Sequence, residues 1–166
     1  MRKFLPFIVA LLTISVVAPV MASATRIAIA GNATLSVTSI GDIQITKSGI
    51  MHQTGAQASG PITGAVLSGQ MEIELSASFN LNTGKGVAWG KFTISTSQGT
   101  FEGMFRVKDT DFIYFEGSGE ALGTGGYEGM ILQFRFQGED LYRSGYTGPD
   151  GLTMDYAGSI LSPKGT

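Results

Sequence analysis

The sequence predicts an all-β protein, a single antiparallel β-barrel of about eight strands, on three observations. Apolar and polar residues alternate over segments of strand length, and glycine-rich turns separate these segments at regular intervals. After residue 24, no ten-residue segment shows apolar residues at helical spacing. Strands that follow one another without helices between them form antiparallel sheets. A closed barrel is favoured because it leaves no exposed edges.

The first 24 residues are expected to be a signal peptide. A basic start at Arg2-Lys3 precedes the apolar run from Phe4 to Ala18, and Ala22-Ser-Ala24 is a small-residue cleavage site. The alternative is a retained membrane anchor, since the apolar run with its flank nearly reaches the length of a membrane span. Cleavage is favoured, so residues 25–166 are predicted to form a secreted barrel domain, extracellular or periplasmic, without membrane contact.

Charge and composition exclude several functional classes. The chain has 11 Lys and Arg against 13 Asp and Glu, and these charges form no long run. It therefore lacks the basic patch that nucleic acid or an anionic membrane surface would require. It also contains no cysteine, which excludes disulfides, thiolate nucleophiles and zinc–thiolate sites. We expect a monomer or a weak homo-oligomer held together by its own core.

The clearest strand is predicted from Met71 to Asn82, where apolar and polar residues alternate with a two-residue period. By contrast, Gln53–Gly64 is small, polar and interrupted by Pro61, and is interpreted as a surface loop. Gly138–Gly151 is interpreted as a loop long enough to fold over an opening. The remaining strands are predicted at Thr25–Ala30, Leu35–Val37, Ile43–Ile45, Val87–Ile94, Phe101–Val107, Phe112–Phe115, Met130–Phe136 and Leu152–Leu161.

One of these strands changes its apolar face halfway. Val87 and Trp89 share one face, whereas Phe92 and Ile94 share the other. Because a one-residue shift moves side chains to the opposite face of a sheet, the pattern predicts a β-bulge near Gly90.

A short phrase occurs twice, as Gly99-Thr-Phe-Glu-Gly-Met104 and as Gly125-Gly-Tyr-Glu-Gly-Met130. Glycine followed by an aromatic residue is typical of sharply curved strands, in which the ring covers the gap left by glycine. The segments Gly99–Gly103 and Gly123–Gly129 resemble the Gly-x-Gly-x-Phe-x-Gly signature of the allene oxide cyclase and dirigent barrels. This resemblance, within Gly84–Gln137, implies an eight-stranded barrel whose interior takes a small apolar ligand. It assigns no catalytic residue.

The first functional hypothesis is a secreted module that binds a small apolar ligand in or at the barrel. Aromatic side chains of the strands could line its cavity; alternatively, they only fill the core. An interior that is packed solid, with no cavity of about 300 Å³ or more, would contradict this hypothesis. The candidate lining residues are Trp89, Phe92, Phe101, Phe105, Tyr127, Phe134 and Phe136.

The second hypothesis is a cyclase- or isomerase-like enzyme, and it depends on Glu128. Glu128 is an even number of residues away from the inward residues of the strand Met130–Phe136, so it points inward unless Gly129 forms a bulge. The similarity of the two repeat copies favours the bulge, which would turn Glu128 outward. An inward carboxylate among aromatic rings could serve as an acid or base. His52, the only histidine, has no matching nucleophile motif and is expected to face solvent. The glycines of 123–129 lack a following helix, so they do not predict a nucleotide site. No metal site is predicted, because the sequence clusters no Asp or Glu around His52, and no cofactor is predicted.

The third hypothesis is a structural or surface-assembly protein. Thr25–Ser39 is apolar on one face and directly follows the predicted cleavage site. An extended segment of this kind can add to the open sheet edge of a neighbouring molecule. A closed barrel, however, has no open edge to offer, which disfavours this hypothesis.

Overall fold

The computed structural model describes residues 24–109, 114–140 and 151–163, so the predicted signal peptide lies almost entirely outside the described residues. Within them, the chain forms strands only, and no helix there could cross a membrane. The strands are β1 (Thr25–Ser39), β2 (Asp42–Ile45), β3 (Ile50–Gly64), β4 (Gly69–Asn80), β5 (Lys85–Ser95), β6 (Gly99–Asp109), β7 (Tyr114–Gly125), β8 (Ile131–Asp140) and β9 (Gly151–Ser162).

Eight of these strands close into an antiparallel barrel. Each strand from β3 to β8 pairs with the one that follows it, and β1 closes the sheet by pairing with both β9 and β3. The β1–β9 ladder runs without interruption from Thr25 opposite Ser162 to Ser36 opposite Gly151. The short strand β2 continues beyond the end of β1 and pairs only with β3. The predicted all-β antiparallel barrel is therefore confirmed, with one additional strand.

Aromatic rings fill one half of the barrel interior. Phe92 and Phe134 pack edge to face, with ring centroids 5.3 Å apart at an angle of 87°. Gly119 on β7 pairs with Phe134 on β8, and a Cβ atom at Gly119 would lie 2.7 Å from the Phe134 ring. The ring therefore occupies the space that a side chain on β7 would need.

Two connections fold inward and close this end of the barrel. Leu67, between β3 and β4, and Tyr127, between β7 and β8, are both buried. The hydroxyl of Tyr156 donates a hydrogen bond to the carbonyl oxygen of Leu67 at 2.9 Å. The Tyr127 ring stacks on Phe101 with a centroid distance of 4.4 Å. The aromatic residues of the two repeat copies are therefore in direct contact.

The prediction of a surface loop at Gln53–Gly64 is wrong, because this segment forms most of strand β3. Its inward positions include Ala56 and Ala58, whose small size gives the segment the composition of a loop. The ladder between β3 and β4 shifts register between Gln53 and Ala56, so the β-bulge lies in this strand. Pro61 is exposed, and no residue pair of the β1–β3 ladder includes it. This gap tolerates the missing N–H of proline.

The bulge predicted near Gly90 is absent, since β5 pairs with β4 and β6 without a register shift. Val87 and Trp89 face outward and are exposed, whereas Phe92 and Ile94 are buried. The change of face therefore reflects apolar residues on both sides of one regular strand.

Two further predicted segments differ from the structure or lie partly outside it. The short strand at Phe112–Phe115 begins in residues that the structure does not describe, and β7 continues through the glycine-rich segment to Gly125. Of the predicted loop Gly138–Gly151, the first residues belong to β8, and residues 141–150 lie outside the described ranges.

We expect the substitution Tyr156→Phe to lower the free energy of unfolding by about 1–2 kcal/mol, because it leaves the buried Leu67 carbonyl without its donor. Urea denaturation would measure the change. Tyr127→Phe is the matched control, because the Tyr127 hydroxyl contacts Thr96 Oγ1 at 3.3 Å and no backbone carbonyl. Equal losses in the two variants would contradict the role assigned to Tyr156.

Tyr156 is also expected to make the free energy of unfolding depend on pH. Burial raises the pKa of the Tyr156 hydroxyl above its ordinary value of 10.0. As the pH rises through this value, the unfolded chain loses the proton first, so the folded state loses stability. We expect the unfolding free energy of the wild type to fall between about pH 9 and pH 11 more steeply than that of Tyr156→Phe. If the unfolding free energies of the wild type and Tyr156→Phe, measured by urea denaturation, changed equally with pH, the Tyr156 hydroxyl would not be linked to folding.

Gly119→Ala is expected to destabilise the barrel by about 1–3 kcal/mol, because the new methyl group meets the rings of Phe134 and Phe92. The neighbouring substitution Ser118→Ala, on the outer face, is the control and should change stability by less than about 0.5 kcal/mol. Thermal and urea denaturation of both variants would test this. If Gly119→Ala left the free energy of unfolding unchanged, the rings of Phe134 and Phe92 would be able to move aside without cost.

Candidate functional site: a small cavity at one end of the barrel

A cavity of about 190 Å³ lies at the barrel end opposite the plug formed by Leu67 and Tyr127. It exists because four of the inward positions there carry alanine, and these small side chains leave space between the larger ones. The barrel wall around it comes from β1 and from β3 to β9. The lining residues are Val37, Gln53, Ala56, Gln57, Ala58, Met71, Ile73, Leu75, Ala77, Phe79, Ala88, Phe105, Val107, Phe115, Phe136, Leu152 and Met154.

All the described side chains that line the cavity are uncharged. Gln53 and Gln57 are its polar members, and the Gln53 amide donates from Nε2 to the carbonyl oxygen of Ile40 at 2.8 Å. A charged ligand would lose its hydration here without gaining a charged partner, which is costly. The cavity therefore suits an uncharged, mainly apolar molecule.

The volume limits the size of such a molecule. Sites for drug-sized ligands measure about 300–1,000 Å³, and this cavity is smaller. An apolar cavity of about 150 Å³ is nevertheless large enough to bind benzene. A ligand of the size first expected is excluded from this cavity, whereas a single-ring or short-chain molecule fits.

The structure separates the seven aromatic residues that the sequence singled out. It brings Phe105 and Phe136 to the cavity, whereas Trp89 is 44% exposed on the outer face. Phe79 and Phe115 also line the cavity and were missed, because the sequence does not show which inward rings lie near the end of the barrel. The remaining four are buried in the core beyond the cavity: Phe92, Phe101, Tyr127 and Phe134.

The residues considered for catalysis lie away from the cavity. Glu128 is exposed in the turn between β7 and β8, where Gly129 has a φ of 74°. The favoured interpretation placed Glu128 outward through a bulge at Gly129; it is outward, but because it lies in a turn before β8 begins at Ile131. This turn is at the end of the barrel opposite the cavity. His52 is exposed on β3, as expected. Within the described ranges, no three His, Cys, Asp or Glu residues are grouped so that they could hold a metal ion.

The segment proposed for assembly, Thr25–Ser39, is strand β1 itself. It pairs with β9 from Thr25 to Ser36 and with β3 from Gly31 to Ser39. Its middle section therefore has partners on both sides, and adding it to another molecule would first break the barrel. The four-residue strand β2, in contrast, has a described partner on one side only.

Comparison with known proteins does not add to this description. No protein-family model matches the chain, no curated protein matches it significantly, and no solved structure does so either. Function is therefore inferred from the geometry of the site, and the resemblance to allene oxide cyclase and dirigent barrels stays a prediction.

Proposed function

We propose that the barrel binds a small, uncharged, apolar molecule, about the size of one aromatic ring, in the cavity at its end. The cavity itself carries this proposal. Protein interiors are closely packed and rarely contain voids larger than a water molecule. Here four inward alanines, Ala56, Ala58, Ala77 and Ala88, leave such a space next to a core that is otherwise filled by large rings.

The lining indicates which ligand chemistry is favoured. Aromatic edges and methionine sulfur atoms make favourable contacts with ring systems, and both are present here in Phe105, Phe136, Met71 and Met154. We expect dissociation constants of about 0.1–1 mM for a simple aromatic hydrocarbon, which correspond to a binding free energy of about 4–5.5 kcal/mol. This is well below the ceiling of about 1.5 kcal/mol per non-hydrogen atom for small ligands.

Binding is favoured over catalysis because of the same lining. A cyclase or isomerase would need a group that donates or accepts a proton, or that stabilises charge, next to the substrate. The described residues of the cavity include no ionisable side chain, and Glu128 is at the other end of the barrel. The resemblance noted in the sequence supports an apolar ligand inside an eight-stranded barrel, and it supplies no catalytic residue.

Toluene is expected to raise the melting temperature of the protein, by about 3 °C at a concentration ten times its dissociation constant. Ala77→Leu should abolish this shift, because the added carbon atoms project into the cavity. Ala30→Leu is the matched control on the exposed outer face and should keep the shift. Differential scanning calorimetry would measure all three proteins.

Benzoate serves as the charged counterpart of toluene and should give no shift. Two results would overturn the proposal: no toluene effect on the wild type, or equal effects on wild type and Ala77→Leu. A shift with benzoate as large as that with toluene would place binding outside the cavity.

A further inference from the structure

The short strand β2 leaves one backbone edge of the sheet open within the part of the chain that the structure describes. β2 pairs with β3 alone. The ladder between β1 and β9 ends at Ser36, so no described strand runs along the other side of β2. An open edge of this kind can pair with an extended strand of another molecule.

The turn that follows β2 determines which backbone groups point to the open edge. Thr46 donates its N–H to the carbonyl oxygen of Ile50 at 2.9 Å, and its own carbonyl oxygen accepts the N–H of Gly49 at 3.0 Å. Both backbone groups of Thr46 therefore point toward β3. Because this direction alternates along a strand, the N–H and C=O groups of Ile43 and Ile45 point to the open edge.

β2 also exposes two large apolar side chains on one face. Ile43 and Ile45 are 46% and 62% exposed, and they share a face because they are two residues apart. Ile45 lies opposite Met51 of β3, and Met51 lies opposite Phe79 of β4. Phe79 lines the cavity, so the face that carries the isoleucines continues the inner surface of the barrel sheet. A partner that pairs with β2 would therefore extend an apolar surface that is already present.

The edge of β2 is complementary to the same edge of a second copy. When two β2 strands pair antiparallel about a two-fold axis at Gln44, Ile43 of each copy lies opposite Ile45 of the other. In this register the backbone groups that point to the two edges bond to one another, and the four isoleucine side chains lie together on one face. A shift of one residue would place isoleucine opposite glutamine and would separate these backbone donors and acceptors.

The charges at the two ends of β2 favour the same arrangement. Asp42 begins the strand and Lys47 follows its end, and both are exposed. In the antiparallel register Asp42 lies opposite Thr46 of the second copy, next to Lys47 of that copy. The two-fold axis repeats this pair of opposite charges at the other end. A parallel pairing in register would instead place like charges side by side, which is unfavourable.

We infer that two copies of the chain associate through β2 and form a symmetric dimer whose sheet continues across the two-fold axis. Pairing occupies the β2 edge of both copies, so the association closes at two molecules and does not grow into a filament. Only one short strand per copy takes part, so the interface belongs to the weak class that buries less than about 1,200 Å² in total. The inference is independent of any ligand in the cavity.

Sedimentation equilibrium of the full chain, from micromolar to millimolar concentration, should show a monomer–dimer equilibrium. Ile43→Pro should weaken dimerisation by about tenfold or more, because it removes an N–H that points to the open edge and the two-fold axis doubles this loss. The hydrogen bonds between β2 and β3 do not use this N–H, so the variant should keep the urea denaturation midpoint of the wild type.

A matched pair of substitutions tests the apolar part of the interface. Ile45→Thr keeps a β-branched side chain but removes apolar surface at the edge, and it should weaken dimerisation by about fivefold or more. Leu122→Thr is the control, because Leu122 is 64% exposed on β7, in the closed wall of the barrel. Its substitution should change the dissociation constant by less than about twofold.

A charge exchange separates a contact between copies from damage within one chain. Asp42→Lys and Lys47→Asp should each weaken dimerisation by about threefold, because each places like charges together at both ends of the paired strands. The double variant restores opposite charges and should recover the affinity of the wild type.

The inference would be overturned by a protein that stays monomeric over the whole concentration range, or by equal dimerisation of the wild type and Ile43→Pro. Equal effects of Ile45→Thr and Leu122→Thr would assign the association to another surface. Oligomers larger than the dimer would contradict pairing through β2, since that pairing closes at two copies.

Discussion

Closure of the sheet through β1, which pairs with β9 on one side and β3 on the other, is the constraint on which the rest of the structure depends. Once the barrel is closed, the inward side chains of eight strands share a fixed volume. Large rings fit only where the facing strand leaves room, as Gly119 does for Phe134. Where four alanines point inward between the larger side chains, space remains, so the same closure that packs one half of the barrel leaves a cavity in the other.

The strands that could be predicted from the sequence are those with strong contrast between their two faces. In β4, buried Met71 and Ile73 alternate with exposed Glu72 and Glu74, and the predicted strand agrees closely with the observed one. In β3, the inward Ala56 and neighbouring small residues provide little contrast, so the segment was wrongly interpreted as a loop. A closed barrel needs small inward residues somewhere, and periodicity alone cannot distinguish them from loop residues.

The cavity was less accessible to prediction than the strands. The cavity depends on residual volume among side chains from eight strands, and no local pattern records that quantity. The exposed position of Trp89 is a further difference from the prediction, which placed this ring inside the barrel. A two-residue period assigns residues to two faces but does not state which face is the core when both carry apolar residues. In β5 the burial of Phe92 and Ile94 shows that their face is the inner one. The regular pairing with β4 and β6 shows that the strand has no bulge.

The two copies of the repeated motif have similar sequences but different backbone conformations, and both contribute to the same packing contact. The first copy is extended in β6, whereas the second forms the turn after β7, where Gly125 and Gly129 have positive φ. Their aromatic residues, Phe101 and Tyr127, nevertheless stack on each other at the closed end of the barrel. This stack and the buried Leu67 close that end of the barrel, so the cavity lies toward the opposite end, where β5 begins and β6 ends.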